Sequence, residues 1–349
     1  MKVNGKNYKT IWMEGEKVKL IDQNLLPFRF EIIELESWEG ICKAIVNMNV
    51  RGAGAIGVAA GYAMALAFIH SPKVGGEEYL WKARQDLEQT RPTARDLFYA
   101  TERVMNAGIA FGTAAAIEES QRIAFENEEE AKAIAIYGES LMLDTCNVLT
   151  HCNAGWLGFV DWGSALAPIY LAHRNGKKIL VYVDETRPRL QGSRLTAWEL
   201  QNEGIPHVIV ADNAGAWLLS NHKVDLLILG ADRIALNGDT ANKIGTFEKA
   251  IVAKNFGVPF YVAAPLSTFD PSCPDGSCIT IEHRPAEEIT QMEGLDENDH
   301  LRKIRISSPG SKALNPAFDI TPSSYIRSLI TSKGIIQPNT QSISQLLLG

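Results

Sequence analysis

A thiol and a carboxyl stand where two apolar runs of this 349-residue chain stop. Asn147-Val148-Leu149-Thr150-His151 runs into Cys152, and Leu226-Leu227-Ile228-Leu229-Gly230-Ala231 runs into Asp232. Between them, Ile179–Val183 leads to Asp184 and His207–Ala211 to Asp212. Short β-branched runs alternating with helical patterns read as parallel strands covered on both faces. Ligands of open α/β sheets bind beyond the carboxyl ends of their strands, so these four ends predict a site. A carboxyl at an apolar strand end has its pKa raised by desolvation toward a range useful for acid/base work. Cys152 lies between His151 and a turn containing Gly155, whose N–H groups are expected to lower the thiol pKa. The plainer readings are a small buried hydrophobe for Cys152 and a helix cap or a partner of Arg233 for Asp232.

Other motifs supply charge. Gly52-Ala53-Gly54-Ala55-Ile56-Gly57 has the spacing of a dinucleotide loop, but a helix-like stretch precedes it and Ser71-Pro72-Lys73 stands where an acidic residue is required. The segment reads better as small residues opening a helix whose free N–H groups hold a phosphate, with Arg51 as a forked donor; the alternative is close packing, with Arg51 in a structural ion pair. Asn242 and Lys243 read as the start of a helix over 241–256, a placement that suits an anionic ligand. Arg91-Pro92-Thr93 and Arg187-Pro188-Arg189-Leu190-Gln191-Gly192 add donors in loops. Cys273 and Cys278 have no second ligand pair to complete a metal site and read as loop residues.

The elements that must position these residues follow from periodicity. Lys9–Met13, Lys17–Ile21 and Phe28–Leu35 predict a small antiparallel sheet. Ser37–Met48, Gly54–Ile69, Arg95–Ala110 and Glu128–Cys146 predict helices. From Asn147 strand and helix alternate, with helices over 162–175, 193–203, 214–220 and 241–256 and a fifth strand at Pro259–Ala264. The fold class is α/β: an N-terminal small antiparallel sheet plus helices over 1–125, and a C-terminal Rossmann-like doubly wound parallel sheet over 126–349.

A net charge of −7 with dispersed basic residues argues against a nucleic-acid or anionic-membrane surface. The uncharged stretch Ala53–His70 is too weakly apolar for a membrane span and reads as a buried helix. The absence of a basic-then-apolar leader and an odd count of five cysteines point to the cytoplasm.

At Arg51–Gly57, Arg91–Ala94, Thr150–Gly155, Asp184–Pro188 through Gln191-Gly192, and Gly230–Arg233 through Asn242–Thr246, the chain resembles the methylthioribose-1-phosphate isomerase family, relatives of the regulatory subunits of an initiation-factor nucleotide-exchange complex. The resemblance implies an aldose–ketose isomerase of methionine salvage. It makes Cys152 and Asp232 the catalytic thiol and carboxyl, and Arg51, Gly52, Ala53, Arg91, Gln191, Asn242 and Lys243 the substrate contacts. It also implies a sugar-phosphate substrate, no cofactor, no metal and a homodimer. The rivals are isomerases of 5-deoxyribose 1-phosphate or ribose 1,5-bisphosphate and a non-catalytic regulatory relative. Trp156–Trp162 is bulkier than in many members, so aromatics are expected to reshape the pocket for the 5-substituent. Both a proton-transfer route, with Asp232 protonating the ring oxygen and Cys152 taking the C2 proton, and a hydride shift fit these residues.

Overall fold

The computed structural model describes residues 1–91 and 94–348; Pro92 and Thr93, part of one expected donor loop, lie outside them. Seven strands form the central sheet, in the order Gly334–Ile336, Ser328–Thr331, Phe260–Ala263, Leu226–Leu229, Thr145–Thr150, Lys178–Asp184 and His207–Val210. Every neighbouring pair is parallel except the first, an antiparallel hairpin. The six parallel strands, taken in chain order, lie 3-2-1-4-5-6 across the sheet, the doubly wound arrangement. Chain direction across the sheet therefore reverses between Thr145–Thr150 and Leu226–Leu229, and the crevice at their carboxyl ends is the place for a ligand.

The N-terminal sheet is Ile11–Glu14, Lys17–Ile21 and Ile32–Leu35, antiparallel throughout. Its apolar face shares a core with helices Trp38–Val46, Ala53–Ile69 and Arg95–Phe111. Every residue from Gly54 to Phe68 is buried, so the small-residue helix is wrapped by neighbours on all sides, as expected for a helix without a polar face. Among the described residues no helix is long and apolar enough to cross a membrane.

Beside the unforeseen strands Ser328–Thr331 and Gly334–Ile336 of the central sheet, three further elements differ from the sequence reading. The helix expected at Glu128–Cys146 runs instead over Thr113–Glu139, so it spans the expected division at residue 125, and Thr145 already begins a strand. Helix Gly76–Thr90 was not foreseen because it buries only Leu80, Ala83 and Leu87. Thr240–Lys243, expected to open a helix, is a strand. It pairs antiparallel with Arg233–Ala235 on one side and with Phe318–Thr321 on the other. Those partners take up its backbone hydrogen bonds, and the helix is delayed to Thr246–Phe256 behind Gly245, whose φ of 100° requires glycine. With Phe269–Asp270 these strands make a four-stranded sheet.

Candidate active site

The four polar strand ends divide into two pairs. Cys152 and Asp232, from the strands flanking the switch point, line one cavity. Asp184 and Asp212 face inward and brace the loop beside it. Asp184 is fully buried, 2.8 Å from His151 Nδ1 and 3.4 Å from Lys249 Nζ. Asp212 accepts from the backbone N–H groups of Thr186 and Arg187, each at 2.6 Å. His151, Asp184 and Asp212 are close enough to share a cation, but the Lys249 ammonium already lies against Asp184 and donates to the Asp212 carbonyl. The residues do not fit a metal there.

Cys152 has a φ of 63°, in the left-handed region that a non-glycine residue adopts only where its surroundings hold it. The hold is visible: its N–H donates to Thr186 Oγ1 at 2.8 Å, and its carbonyl accepts from Thr196 Oγ1 at 2.7 Å. Burial pushes the thiol above its ordinary value; Arg51 and Lys243 pull it down and Asp232 pushes it up. The expected lowering is thus reversed, because desolvation outweighs the two cations. Asp232 follows expectation: burial raises its carboxyl against Lys243, Arg91, Arg284 and Arg51. Neither plainer reading of Asp232 holds, since Arg233 turns to Asp270 at 3.7 Å and the Asp232 carboxyl caps no backbone among the described residues.

All nine residues singled out from the sequence line this one cavity: Cys152, Asp232, Arg51, Gly52, Ala53, Arg91, Gln191, Asn242 and Lys243. Arg51 is buried and donates from Nη2 to Asn153 Oδ1 at 2.7 Å, while its Nε has no partner. Asn153 in turn donates to Glu199 Oε1 at 3.1 Å, a buried carboxyl that also accepts from Leu157 N–H and Tyr170. Burial pushes Glu199 up to about 7 despite these bonds. Gly52 approaches the Gly158 backbone so closely that a Cβ would collide, and its φ is 88°. It opens the helix Ala53–Ile69, and Gly52 and Ala53 at that helix start line the cavity. Gly54 and Gly57 meet Asn127 and Phe159, and Asp96, so these two glycines serve packing.

Lys243 stands on a strand rather than at a helix start. Its Nζ donates to the Ala317 carbonyl at 3.0 Å and lies 4.3 Å from the Phe318 ring centre. Burial, then Arg284, lowers it to about 8. Burial and Arg284 likewise lower Arg91 to about 10, and its Nη1 donates to Met48 Sδ at 3.1 Å. Gln191 Oε1 is buried without a partner among the described residues, an acceptor suited to a ligand hydroxyl. Arg187 and Arg189 turn away to the Ile289 carbonyl and Glu288, so of that loop only Gln191 lines the cavity.

Met48, Asn153, Phe159, Arg284 and Phe318 were not foreseen in the lining. Of the bulky 156–162 segment, Phe159 reaches the cavity, whereas Trp156 is buried beside Trp198 and Trp162 stacks with Arg174. Cys273, expected in a loop, is buried in a small cluster with Ala235, Ala241 and Ile279.

A doubly wound α/β chain with a cation-rich cavity at its switch point, carrying one thiol and one carboxyl, defines an acid/base site for a small anion. The chain belongs to the initiation factor 2 subunit family, whose pattern matches residues 49–338, and to its methylthioribose-1-phosphate isomerase branch. It is 44% identical to the methylthioribose-1-phosphate isomerase of Methylocella silvestris, over 99% of this chain and 98% of that one. The enzyme of that name from Thermotoga neapolitana is also 44% identical, with 98% of each chain covered. Among solved structures, 5-methylthioribose 1-phosphate isomerase from Pyrococcus horikoshii superposes with a TM-score of 0.86 at 37% identity, covering 98% of this chain and 96% of that one. Translation initiation factor eIF-2B, subunit delta, from A. fulgidus gives 0.83 at 38% identity, covering 98% and 100%.

Proposed function

We propose that this chain is an aldose–ketose isomerase converting 5-methylthioribose 1-phosphate to 5-methylthioribulose 1-phosphate in methionine salvage. The observation that carries the reading is the meeting of Cys152 and Asp232 in one buried cavity with Arg51, Arg91 and Lys243. The phosphate belongs at the N–H groups of Gly52 and Ala53 with these cations, and Gln191 and Asn242 contact the sugar. The apolar Phe159 in the lining favours a methylthio group over the second phosphate of ribose 1,5-bisphosphate.

A sugar 1-phosphate is locked as an acetal, so its ring must be opened by acid catalysis. Protonated Asp232 gives its proton to the ring oxygen as the C1–O bond breaks. Cys152, as thiolate, takes the C2 proton, forming the phosphorylated enol. The thiol returns that proton to C1 while the O2 proton passes to Asp232, leaving the ketose and restoring both groups. Burial of Asp232 favours the protonated form this cycle starts from. The raised thiol favours a second route, in which hydride moves from C2 to C1 and Cys152 stays protonated. Neither route calls for a metal or a redox cofactor.

A panel of pentose 1-phosphates differing at C5, scored by ketose product, tests the activity. Best turnover is expected with the methylthio compound, and no ketose from any member would overturn the reading. Deuterium at C2 separates the routes: washout into water marks proton transfer, and full retention at C1 marks hydride shift. The chain is further read as a cytoplasmic homodimer. Five free cysteines suit a reducing compartment, and the edge strand His207–Val210, with exposed Val208 and Ile209 beside exposed Trp217, offers an apolar face for a second copy.

A further inference from the structure

Four cationic side chains line the cavity among the described residues, against the single carboxylate of Asp232. Three of them have been given to the phosphate. The fourth, Arg284, arrives from a segment with no helical or strand periodicity and carries no sequence motif. We infer that Arg284 is a further substrate-binding residue, a forked donor to the phosphate beside Lys243; this rests on the phosphate-holding reading of the cavity.

The placement of Arg284 is built, not incidental. The side chain is 7% exposed, so its charge has been taken out of bulk water. Its Nε donates to Glu282 Oε1 at 2.9 Å, and its terminal nitrogens make no hydrogen bond among the described residues. A guanidinium held by one edge presents its remaining donors in a fixed plane, the geometry that recognises phosphate oxygens in pairs. Glu282 offsets the charge of Arg284, so what Arg284 adds to the cavity is direction more than net charge.

The backbone fixes Arg284 and Lys243 to one support. Arg284 N–H donates to the Asn315 carbonyl at 2.9 Å, and Ala317 N–H donates to the Glu282 carbonyl at 2.8 Å. The same Ala317 carbonyl accepts from Lys243 Nζ, and the Phe318 ring lies 4.3 Å from that ammonium and 5.8 Å from the Arg284 guanidinium carbon. Two like charges are thus held about one ring, and Arg284 lowers the preference of Lys243 for a proton. That arrangement stores repulsion which a bound dianion relieves.

The test is calorimetric titration with inorganic phosphate, with kcat and KM for 5-methylthioribose 1-phosphate alongside. Arg284→Gln is expected to weaken phosphate binding about tenfold to a hundredfold while leaving unphosphorylated 5-methylthioribose within about twofold. Arg284→Lys, which keeps charge and stem but loses the fork, is expected to weaken phosphate about fivefold; it carries the test if the Gln variant does not fold. Removing the charge should also move the alkaline loss of phosphate binding to higher pH, because Lys243 loses a repelling neighbour. A structural role alone would weaken the phosphorylated and unphosphorylated ligands alike. Unchanged phosphate affinity in the folded variants, or equal loss for both ligands, overturns the inference. Phosphate binding through Arg284 without isomerisation by the wild type would instead overturn the proposed activity and leave the inference standing.

Discussion

The two walls of the cavity are buried alike and held differently. On the sheet side, Cys152 and Asp232 project from loops beyond two strands, and each loop is fixed through its backbone while neither functional side chain makes a hydrogen bond among the described residues. On the opposing side, Arg51, Lys243 and Arg284 are tied through their side chains, to Asn153, the Ala317 carbonyl and Glu282. Burial raises Cys152 and Asp232 and lowers Arg51, Arg91 and Lys243. The difference is one of task. A group that exchanges protons must be free to change its bonding, whereas a group that holds an anion is most effective when little of its freedom remains to be lost.

Breaking the proton-transfer wall should have the largest effect. Cys152→Ser and Asp232→Asn are each expected to cut turnover about 10²–10⁴-fold with substrate affinity within a few-fold, measured by turnover and calorimetry; near wild-type turnover would remove that residue from the chemistry. The binding wall should respond in the opposite sense. Arg51→Ala or Lys243→Ala is expected to weaken phosphorylated ligands about tenfold or more and spare unphosphorylated sugar, so equal loss for both would dismiss the phosphate role.

The pH profile sharpens the contrast. Lys243 binds an anion only as the ammonium, so phosphate affinity should fall as pH rises past about 8. Asp232 starts the cycle protonated, so kcat should fall as pH rises through a carboxyl value above the ordinary one. A flat profile from pH 5 to pH 9, on the order of the full working range, would contradict both.

The smallest effect serves as a control for Asp232. Asp96 is a buried carboxyl with neither oxygen hydrogen-bonded among the described residues, raised by burial from 3.8 to about 6. Because the folded state keeps a proton that the unfolded state gives up, stability is lost as pH rises across that window. Asp96→Asn should abolish the slope and stabilise the neutral-pH fold by something on the order of 2 kcal/mol, read from melting curves at two pH values. Destabilisation at neutral pH would mean that Asp96 has a charged-state role.

What the sequence made legible was whatever depends on local repetition. The β-branched runs at Val148–Leu149, Ile179–Val183 and Leu226–Leu229 announce buried strands, and the site residues at their ends follow from topology. Lys243 was misplaced because Thr240–Lys243 is buried on both faces and lacks alternation; its identity as a strand comes from Phe318–Thr321, which returns from far along the chain. Arg284 was invisible for the same reason, since its position is set by Asn315–Phe318. Helix Gly76–Thr90 escaped because its charged surface outweighs its narrow apolar stripe.

The two residues proposed to do the chemistry lie outside the strands that carry them. Strand Thr145–Thr150 ends two residues before Cys152, and Leu226–Leu229 ends three before Asp232, so neither functional side chain contributes to the sheet's packing. Descendants of such a chain are therefore at liberty to lose the thiol or the carboxyl without losing the architecture, and to keep the cationic cradle as a sensor of phosphorylated metabolites. Chains of this shape bear the names of both an isomerase and an initiation-factor subunit, and the separation of scaffold from reactive loops supplies a route by which one ancestry can lead to both.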